Sequence, residues 1–401
     1  MKIAIIGCGY VASFYAKNAK YYNDVEIAGA YDINADILTR FCDHYVIKPY
    51  LNFESLLNDA SVELVLNLTN PRSHFECTKA CLLAGKHVYT EKPVAMALDD
   101  AQTLIDLARS RKLRLGCAPC GVLSNTAQTL RKAIRDGEIG KVKLIYANYE
   151  SGMIAPPDSP WQKTTGHGAH WPAKDEFETG CTYEHAGYLL TWLNLLFGPA
   201  LAVTAFSSCL IPEKGIAVDT MAPDFSVGCI EYKNGVVARV TNSLVAMDMS
   251  FTIVGDKGQL VIKNVRNDNE PVYIKERRLS KNIPCIKNYA IKRFYKNKFL
   301  NKLLPLPSKL AFYKKYPLVG KDSGNHATST KRVDFMLGVY DMIMAIRKNI
   351  PHKLTGEFGL HILEQMEVLQ YPEKFNFHKQ IQSTFSPGNE WDEQPTKTNT
   401  V

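Results

Sequence analysis

Short apolar runs alternate with helical patterns over the first part of the chain. The runs that predict strands are Lys2–Ile6, Glu26–Tyr31, Leu64–Asn67, His87–Thr90 and Arg114–Cys117. The stretches between them that predict helices are Tyr10–Lys20, Asn34–Phe41, Phe53–Asn58, Ser73–Ala84 and Leu98–Arg111. Strands that alternate with helices are typical of a parallel sheet covered by helices, so we expect an α/β fold.

The pattern changes after a predicted helix at Leu123–Arg135. Runs rich in β-branched residues, separated by turns, predict strands at Lys141–Tyr149, Ala202–Ser207, Ser226–Lys233, Val236–Val245, Ser250–Gly255 and Gly258–Lys263. Further helices are predicted at Thr182–Phe197 and Arg332–Arg347. Strands joined by turns of this kind indicate an antiparallel sheet, and therefore a second domain of a different type.

Composition is that of an ordinary globular protein, with 46% hydrophobic and 22% charged residues, and the length of 401 residues suggests two domains, with three as the alternative. Met1 leads directly into the first predicted strand, which gives no sign of a secretory signal. The most apolar region, 189–206, is interrupted by Asn194 and by Gly198-Pro199, which argues against a membrane span. The ten cysteines are scattered, as free thiols in a reducing compartment would be. We therefore expect a cytoplasmic protein.

The first predicted strand ends in a glycine-rich turn, Gly7-Cys8-Gly9-Tyr10-Val11-Ala12. Small residues at the first, third and sixth positions, between a strand and a helix, form the dinucleotide-binding fingerprint of a doubly wound Rossmann sheet. The backbone N–H groups at the start of a helix attract a pyrophosphate. We expect this turn, from Gly7 to Val11, to bind a dinucleotide.

Asp32 ends the second predicted strand, where a carboxylate can accept hydrogen bonds from the ribose hydroxyls of the dinucleotide. It would repel the 2′-phosphate of NADP, and no arginine follows directly, so the sequence favours NAD over NADP. Capping of the helix that begins near Asn34 is an alternative role for Asp32, compatible with the first.

Polar residues also follow the third and fourth predicted strands, at the sheet edge where ligands of open α/β sheets bind. Thr69 and Asn70 are candidates to contact the cofactor, while His74 is either a contact or a histidine near solvent at the start of a helix. The next strand ends in Thr90-Glu91-Lys92-Pro93. Lys92 could hold an alkoxide or carbonyl oxygen, and we expect partial burial to lower its pKa.

These motifs together resemble the glucose–fructose oxidoreductase / inositol dehydrogenase / MocA family. The motifs that carry the resemblance are Gly7-x-Gly9-x-x-Ala12, Thr69-Asn70-Pro71-x-x-His74, Glu91-Lys92-Pro93, Gly137-Glu138-Ile139-Gly140-Lys141-Val142 and the pattern from Asp334-Phe335 to His361 and Glu364. It implies a Rossmann domain followed by an α/β domain with a large, open, mostly antiparallel sheet. It also implies NAD(P)-dependent hydride transfer at a sugar-like hydroxyl or ketone, and homo-oligomers, dimers or tetramers, formed through the open sheet.

We accordingly predict an NAD-binding domain at 1–121, a substrate and oligomerisation domain at 122–382, and a flexible polar tail at 383–401. The cofactor-binding set is Gly7, Cys8, Gly9, Tyr10, Val11, Asp32, Thr69, Asn70, His74, Glu91 and Lys92. The resemblance makes Lys92 and His185 the catalytic residues, with His185 as the general acid/base. The substrate-binding set adds Cys120, Trp161, His170, Tyr183 and Glu184.

The chain departs from the family pattern at Cys181, where a carboxylate would stand four residues before the histidine. A thiol is a poor base and a poor hydrogen-bond partner for orienting a ring. Glu184 is an alternative source of the carboxylate, although adjacent residues of a helix point in different directions.

A zinc site is an alternative for some of the same residues, because Cys117-x-x-Cys120 has ligand spacing and His167 and His170 could complete it. We favour a site without metal. In that interpretation the loop 154–174, rich in proline, glycine, histidine and tryptophan, contacts the substrate.

The net charge of +8 is concentrated in the segment 275–315, which carries thirteen Lys or Arg and one acid, or +12, and so leaves −4 for the rest. The segment resembles an insertion into the family's sheet, and its apolar residues form no single helical stripe. Three interpretations stay open: a solvated arm, a site for an anionic partner such as a nucleotide-sugar diphosphate, and a patch for acidic lipid. Nucleic acid is not expected as a partner, because no motif of a nucleic-acid-binding fold accompanies the basic segment.

The expected function is hydride transfer between NAD and a hydroxyl or ketone of a sugar, polyol or nucleotide sugar. Two alternatives stay open. One is a glycosidase that uses a tightly held NAD for transient oxidation and elimination. The other is a non-catalytic NAD-binding protein, with Cys181 as the mark of a decayed site.

Overall fold

The computed structural model describes residues 1–152, 164–276, 314–319 and 333–386. Within them the strands are β1 Lys2–Ile6, β2 Glu26–Tyr31, β3 Leu64–Asn67, β4 His87–Thr90, β5 Leu115–Cys117, β6 Val142–Ser151, β7 Ala200–Ser208, β8 Phe225–Tyr232, β9 Val236–Ser243, β10 Met247–Asp248, β11 Phe251–Gly255, β12 Gly258–Ile262, β13 Val272–Glu276, β14 Lys314–Tyr316 and β15 His378–Gln380. The helices are α1 Ala12–Ala19, α2 Ala35–Tyr45, α3 Phe53–Leu57, α4 His74–Leu83, α5 Leu98–Ser110, α6 Asn125–Arg135, α7 Ala173–Thr179, α8 Cys181–His185, α9 Gly187–Phe197, α10 Leu337–Lys348 and α11 Gly356–Gln370.

The first five strands form a parallel sheet in the order β2-β1-β3-β4-β5. Alternate residues of β1 enter different cores, as the period of two in a strand requires. Ile3 and Ile5 pack with α1, α2 and α10, whereas Ala4 and Ile6 pack with α3, α4 and α5. Helices therefore cover both faces, and the predicted doubly wound sheet is confirmed.

The other ten strands form a second sheet, in the order β14-β13-β12-β11-β6-β9-β8-β7-β15 with β10 beside β6. All its pairs are antiparallel except β6 with β9, which are parallel. One face packs against α6, α9 and α11 in a large apolar cluster. The predicted mostly antiparallel sheet is thus confirmed.

The strands β10, β13, β14 and β15 and the helix α7 were not predicted, and α11 had no predicted range, since only the resemblance at His361 and Glu364 pointed to it. Strand β14 pairs with β13, so the ends of the basic segment are neighbouring strands of the second sheet. The rest of that segment, 277–313, lies outside the described residues, as does the tail from 387 onward.

The domain division at 121 stays a prediction. Helix α10 nevertheless packs on the first sheet, through Met336, Val339, Met342 and Ile343.

No helix in the described ranges is both long and apolar enough to cross a membrane. The cysteines in those ranges are all free.

Candidate active site

The glycine-rich turn has the geometry that a dinucleotide requires. Gly7 has φ +86°, and a Cβ on it would lie 2.7 Å from the carbonyl carbon of Leu68, so only glycine fits there. A Cβ on Gly9 would meet no atom within 4 Å. The backbone at Gly9 is therefore open to the close approach of a ligand, next to the first turn of α1.

The carboxylate of Asp32 holds this turn from the end of β2. Its Oδ2 accepts a hydrogen bond from the N–H of Cys8 at 2.7 Å, and its Oδ1 accepts one from the N–H of Asn34 at 2.8 Å. Asn34, not Asp32, caps α2, since its side chain accepts from the N–H groups of Asp36 and Ile37. Ile33 is 93% exposed and offers an apolar surface beside Asp32. Open backbone, carboxylate and apolar surface together fit an adenosine dinucleotide.

The loops after β3 and β4 are tied together by His74. Its Nδ1 lies 2.6 Å from the carbonyl oxygen of Pro93 and its Nε2 lies 3.0 Å from that of Thr69. The alternative of a histidine near solvent is wrong, because His74 is fully buried, and burial lowers its pKa. The Thr69 hydroxyl donates to Asn67 Oδ1 at 2.7 Å, which fixes the turn before Asn70.

Glu91 and Lys92 face different partners. Glu91 is buried and accepts a hydrogen bond of 2.7 Å from the Tyr15 hydroxyl, so its carboxylate serves to hold the loop. Lys92 forms an ion pair with Glu184, and both side chains are largely buried. Burial alone would lower the pKa of the Lys92 ammonium, but the Glu184 carboxylate outweighs burial, and the pKa stands above its usual value. The expectation of a lowered lysine pKa is therefore wrong.

His185 ends α8 and lies under an aromatic ring. Tyr149 of β6 stacks on the imidazole, with ring centroids 4.7 Å apart and planes at 23°. Burial and the nearby cations of Lys92 and Arg266 lower the pKa of His185 well below its usual value, so the ring is neutral at physiological pH. A neutral ring can accept a proton from an alcohol. Its Nδ1 is buried and has no hydrogen-bond partner among the described residues.

A carboxyl group does lie beside His185, and it comes from α7. Glu176 Oε2 is 3.9 Å from His185 Nε2. Cys181, where the family pattern suggests a carboxylate, is buried, and its Sγ lies 3.8 Å from the carbonyl oxygen of Asn242. The sequence reasoning missed Glu176, because its approach to the ring depends on how α7 folds back on α8.

Two more side chains of this site were missed, Tyr188 and Arg266. The Arg266 guanidinium lies 4.2 Å from the ring centroid of Tyr188, and Tyr188 stacks on Tyr149 at 5.2 Å. Arg266 follows β12 in a segment with no recognisable motif, so the sequence offered no signal for it. The site thus contains two cations, two carboxyl groups and one imidazole.

The remaining predicted residues lie at different distances from this centre. Tyr183 is buried and its ring lies 6.2 Å from that of Tyr371. Cys120 lines a small pocket with Glu91 and Arg266, and its Sγ lies 3.2 Å from the carbonyl oxygen of Asp334. His170 is exposed, and Trp161 lies outside the described residues.

One histidine of the zinc alternative, His167, has another role. His167 is buried and its Nε2 lies 3.0 Å from the carbonyl oxygen of Cys8, so the loop that carries it touches the glycine-rich turn. In the described part of the chain, no three His, Cys, Asp or Glu side chains are grouped to hold a metal ion.

Two family models match the chain. Residues 1–118 match the model of the oxidoreductase family with an NAD-binding Rossmann fold, and residues 127–261 match the GFO/IDH/MocA C-terminal domain. The two matches follow one another in the order of the two sheets.

Curated proteins and solved structures agree with that match. The chain is 26% identical over 274 residues to an uncharacterized oxidoreductase of Synechocystis, covering 65% of this chain and 71% of the relative. It is 26% identical over 272 residues to the myo-inositol 2-dehydrogenase of Thermotoga maritima, covering 66% and 76%.

The WlbA dehydrogenase of Bordetella pertussis, solved with NADH and UDP-GlcNAcA, shares the fold with a TM-score of 0.68 at 18% identity, over 95% of this chain and 98% of that one. The order of the two domains, the glycine-rich turn and the two model matches lead to one conclusion: the chain belongs to the GFO/IDH/MocA family of oxidoreductases.

Proposed function

We propose that the protein transfers a hydride between NAD and a carbon that bears a hydroxyl or keto group in a sugar, polyol or nucleotide sugar. The observation that carries the proposal is the meeting of Lys92 with the α8 segment that ends in His185, through the Lys92–Glu184 ion pair. A cation that holds an oxygen and a neutral base beside it are the groups that alcohol oxidation needs.

The dinucleotide would be held by the backbone of Gly7, Gly9 and Val11, by Asp32, and by Thr69 and Asn70. When bound, the nicotinamide supplies the hydride acceptor or donor. NAD is favoured over NADP because the Asp32 carboxylate would repel a 2′-phosphate. The NADH complex of the WlbA dehydrogenase is in line with this choice.

The protein's own groups handle the oxygen and its proton. The Lys92 ammonium stabilises the oxygen as negative charge develops on it, and His185 takes the hydroxyl proton as the hydride leaves the carbon. In the opposite direction His185 returns a proton to the oxygen. The net reaction is alcohol plus NAD⁺ giving ketone, NADH and one proton.

The carbohydrate class is supported by two similar proteins, whose names identify an inositol dehydrogenase and a complex with the nucleotide sugar UDP-GlcNAcA. The non-catalytic alternative rested on the thiol at Cys181. It loses its main argument because Glu176 and Glu184 bring carboxyl groups to the site.

The test is a screen of free polyols, sugars and nucleotide sugars for NADH formation, preceded by a fluorescence titration with NAD. We expect binding of NAD and turnover of one substrate class.

Lys92→Ala and His185→Ala should each lower kcat by roughly 10²–10⁴-fold. The exposed residues Lys143 and His378 provide matched controls, and their alanine variants should keep full activity. Unchanged turnover in K92A or H185A removes that residue from the mechanism, and absence of NAD binding at millimolar cofactor overturns the proposal.

A further inference from the structure

The carboxyl group of Glu176 and the ring of His185 form a buried pair between two helices. The side chains are 11% and 8% exposed, and Oε2 lies 3.9 Å from Nε2. Neither Glu176 Oε2 nor His185 Nδ1 has a hydrogen-bond partner within the described ranges. Buried polar atoms are nearly always paired in folded proteins, so the orphaned oxygen of Glu176 and the orphaned second nitrogen of the His185 ring point to a function that a further group completes.

The backbone shows how Glu176 reaches this place. Gly180, between α7 and α8, has φ +94°, and a Cβ on it would lie 2.5 Å from Gln370 Nε2. Only glycine allows this turn, which lets α7 fold back beside α8. On α8, residues 181 and 185 lie one helical turn apart on one face, so a carboxylate at 181 would neighbour the ring. The small thiol of Cys181 leaves that position without a carboxylate, and Glu176 supplies one from the neighbouring helix.

The charges around the pair decide which partner holds a proton. The groups that face it are Lys92 after β4, Glu184 on α8, Arg266 after β12, Tyr149 on β6, Tyr188 on α9 and Asp175 on α7. Burial and the Glu184 carboxylate raise the pKa of Glu176 well above its usual value. Lys92 is engaged by Glu184, and together with Arg266 it disfavours a charged imidazole. Both shifts favour a neutral ring beside a neutral carboxylic acid.

We propose that Glu176 is the positioning residue of His185, in place of a carboxylate at position 181, and that the two side chains share the one proton that the reaction moves. The inference rests on the proposed function, because it needs His185 to act on the substrate oxygen. In the reductive direction His185 gives its proton to that oxygen while the carbonyl carbon receives the hydride, and Glu176 replaces the proton on the ring. In the oxidative direction Glu176 first gives up its own proton, and the hydroxyl proton then moves to His185 while the ring passes a proton to the Glu176 carboxylate.

The first experiment needs neither cofactor nor substrate. Infrared spectra of the protein labelled with ¹³C-glutamate at neutral pH should show the carbonyl band of a protonated carboxylic acid. The band should vanish in Glu176→Gln and persist in Glu178→Gln. Glu178 is a matched control, because it is another buried carboxylate of α7 but pairs with Arg72 at 2.9 Å. A band that persists in E176Q overturns the assignment of the proton to Glu176.

The second experiment uses the substrate that the screen identifies. E176Q should lower kcat by about 10²-fold, leave NAD binding unchanged, and remove one ionisation from the pH profile of kcat. A merely structural effect would lower thermal stability without changing that profile. Adding Cys181→Asp to E176Q should restore part of kcat, because it places a carboxylate on the same face of α8 as His185.

The outcomes separate the two proposals. If no substrate is found, the proposed function fails, and the infrared band still decides whether Glu176 holds the proton. If a substrate is turned over and E176Q keeps the wild-type kcat and pH profile, the role of Glu176 is overturned while the proposed function stands.

Discussion

The ammonium of Lys92 forms an ion pair with the carboxylate of Glu184, and this contact joins the loop after β4 to helix α8. Lys92 belongs to the part of the chain that carries the dinucleotide fingerprint, and Glu184 stands next to His185. The pair therefore brings Lys92 and His185, the proposed oxygen-holding cation and the proposed general base, into one site.

Glu184→Gln should destabilise the protein by about 3 kcal/mol, because it leaves a buried ammonium without its counter-charge. The pKa of Lys92 should fall, since burial continues to lower it while the opposing carboxylate is gone. A lysine whose pKa is raised in the folded state stabilises the fold below its unfolded pKa and loses this effect as pH rises through the folded pKa. The difference between wild type and E184Q in urea unfolding should therefore persist through neutral and mildly alkaline pH.

Glu357→Gln is the control for this variant. It breaks the exposed pair of Arg109 with Glu357, which is worth about 0–1 kcal/mol. Equal losses of stability in E184Q and E357Q would show that burial does not strengthen the Lys92–Glu184 pair.

Gly7→Ala and Gly9→Ala should separate folding from cofactor binding. In G7A the new methyl group meets the Leu68 backbone at 2.7 Å and φ is +86°, so the melting temperature should drop by several degrees. In G9A no protein atom lies within 4 Å, so the fold should stay intact. The methyl group would then obstruct the pyrophosphate, and NAD affinity should fall at least about tenfold. Circular dichroism and a fluorescence titration with NAD measure the two effects. Wild-type affinity in G9A would place the dinucleotide elsewhere.

Asp32→Asn should change the choice between NAD and NADP. The amide keeps an acceptor oxygen but loses the negative charge that would repel a 2′-phosphate. NAD affinity should fall by about tenfold, the loss of about 1.5 kcal/mol expected for one hydrogen bond to a charged group. NADP affinity should fall less or rise. Asp36→Asn, an exposed acid in the first turn of α2, should leave both affinities unchanged. A constant ratio of the two dissociation constants in D32N would exclude Asp32 as the discriminating residue.

Asp268 should make stability depend on pH. Burial raises its pKa from 3.8 to about 7. The folded state therefore holds a proton that the unfolded state has lost between those values, and stability should decrease as pH rises through that interval. Asp268→Asn has no proton to lose and keeps an acceptor for the Asp334 N–H, which donates to Asp268 Oδ2 at 2.7 Å. Thermal melts of D268N and wild type should agree near pH 4 and diverge toward pH 8, with D268N the more stable. Parallel melting curves over this range would contradict the raised pKa.

The central strands could be predicted from the sequence, and the edge strands could not. The observed bounds of β1 to β4 equal the predicted ones, because each is an apolar run that ends in a turn. Strands β14 and β15 read Lys-Lys-Tyr and His-Lys-Gln. Segments so short and polar have no strand signal of their own and exist through pairing with a neighbour.

The candidate site divides in the same way. Lys92 could be proposed because it stands in a local motif at a strand end. Glu176 could not, since its contact with His185 depends on the turn at Gly180 and on burial against groups far away in the chain. The raised pKa of Lys92 could not be predicted from the sequence either. Burial alone predicts a lower pKa, and only the contact with Glu184 reverses that effect.

Helix α10 has a consequence for how the cofactor-binding part of the chain can be handled. Met336, Val339, Met342 and Ile343 lie in the same apolar cluster as Ile3 and Ile5 of β1, although more than three hundred residues separate them. A fragment that stops at residue 121 would keep every residue of the dinucleotide fingerprint and the helices α1 and α2, but it would expose the apolar surface that α10 covers on this face of the sheet. Such a fragment should aggregate unless the 333–349 stretch is added back. The first sheet and its helices therefore need two stretches of the chain that are far apart in sequence.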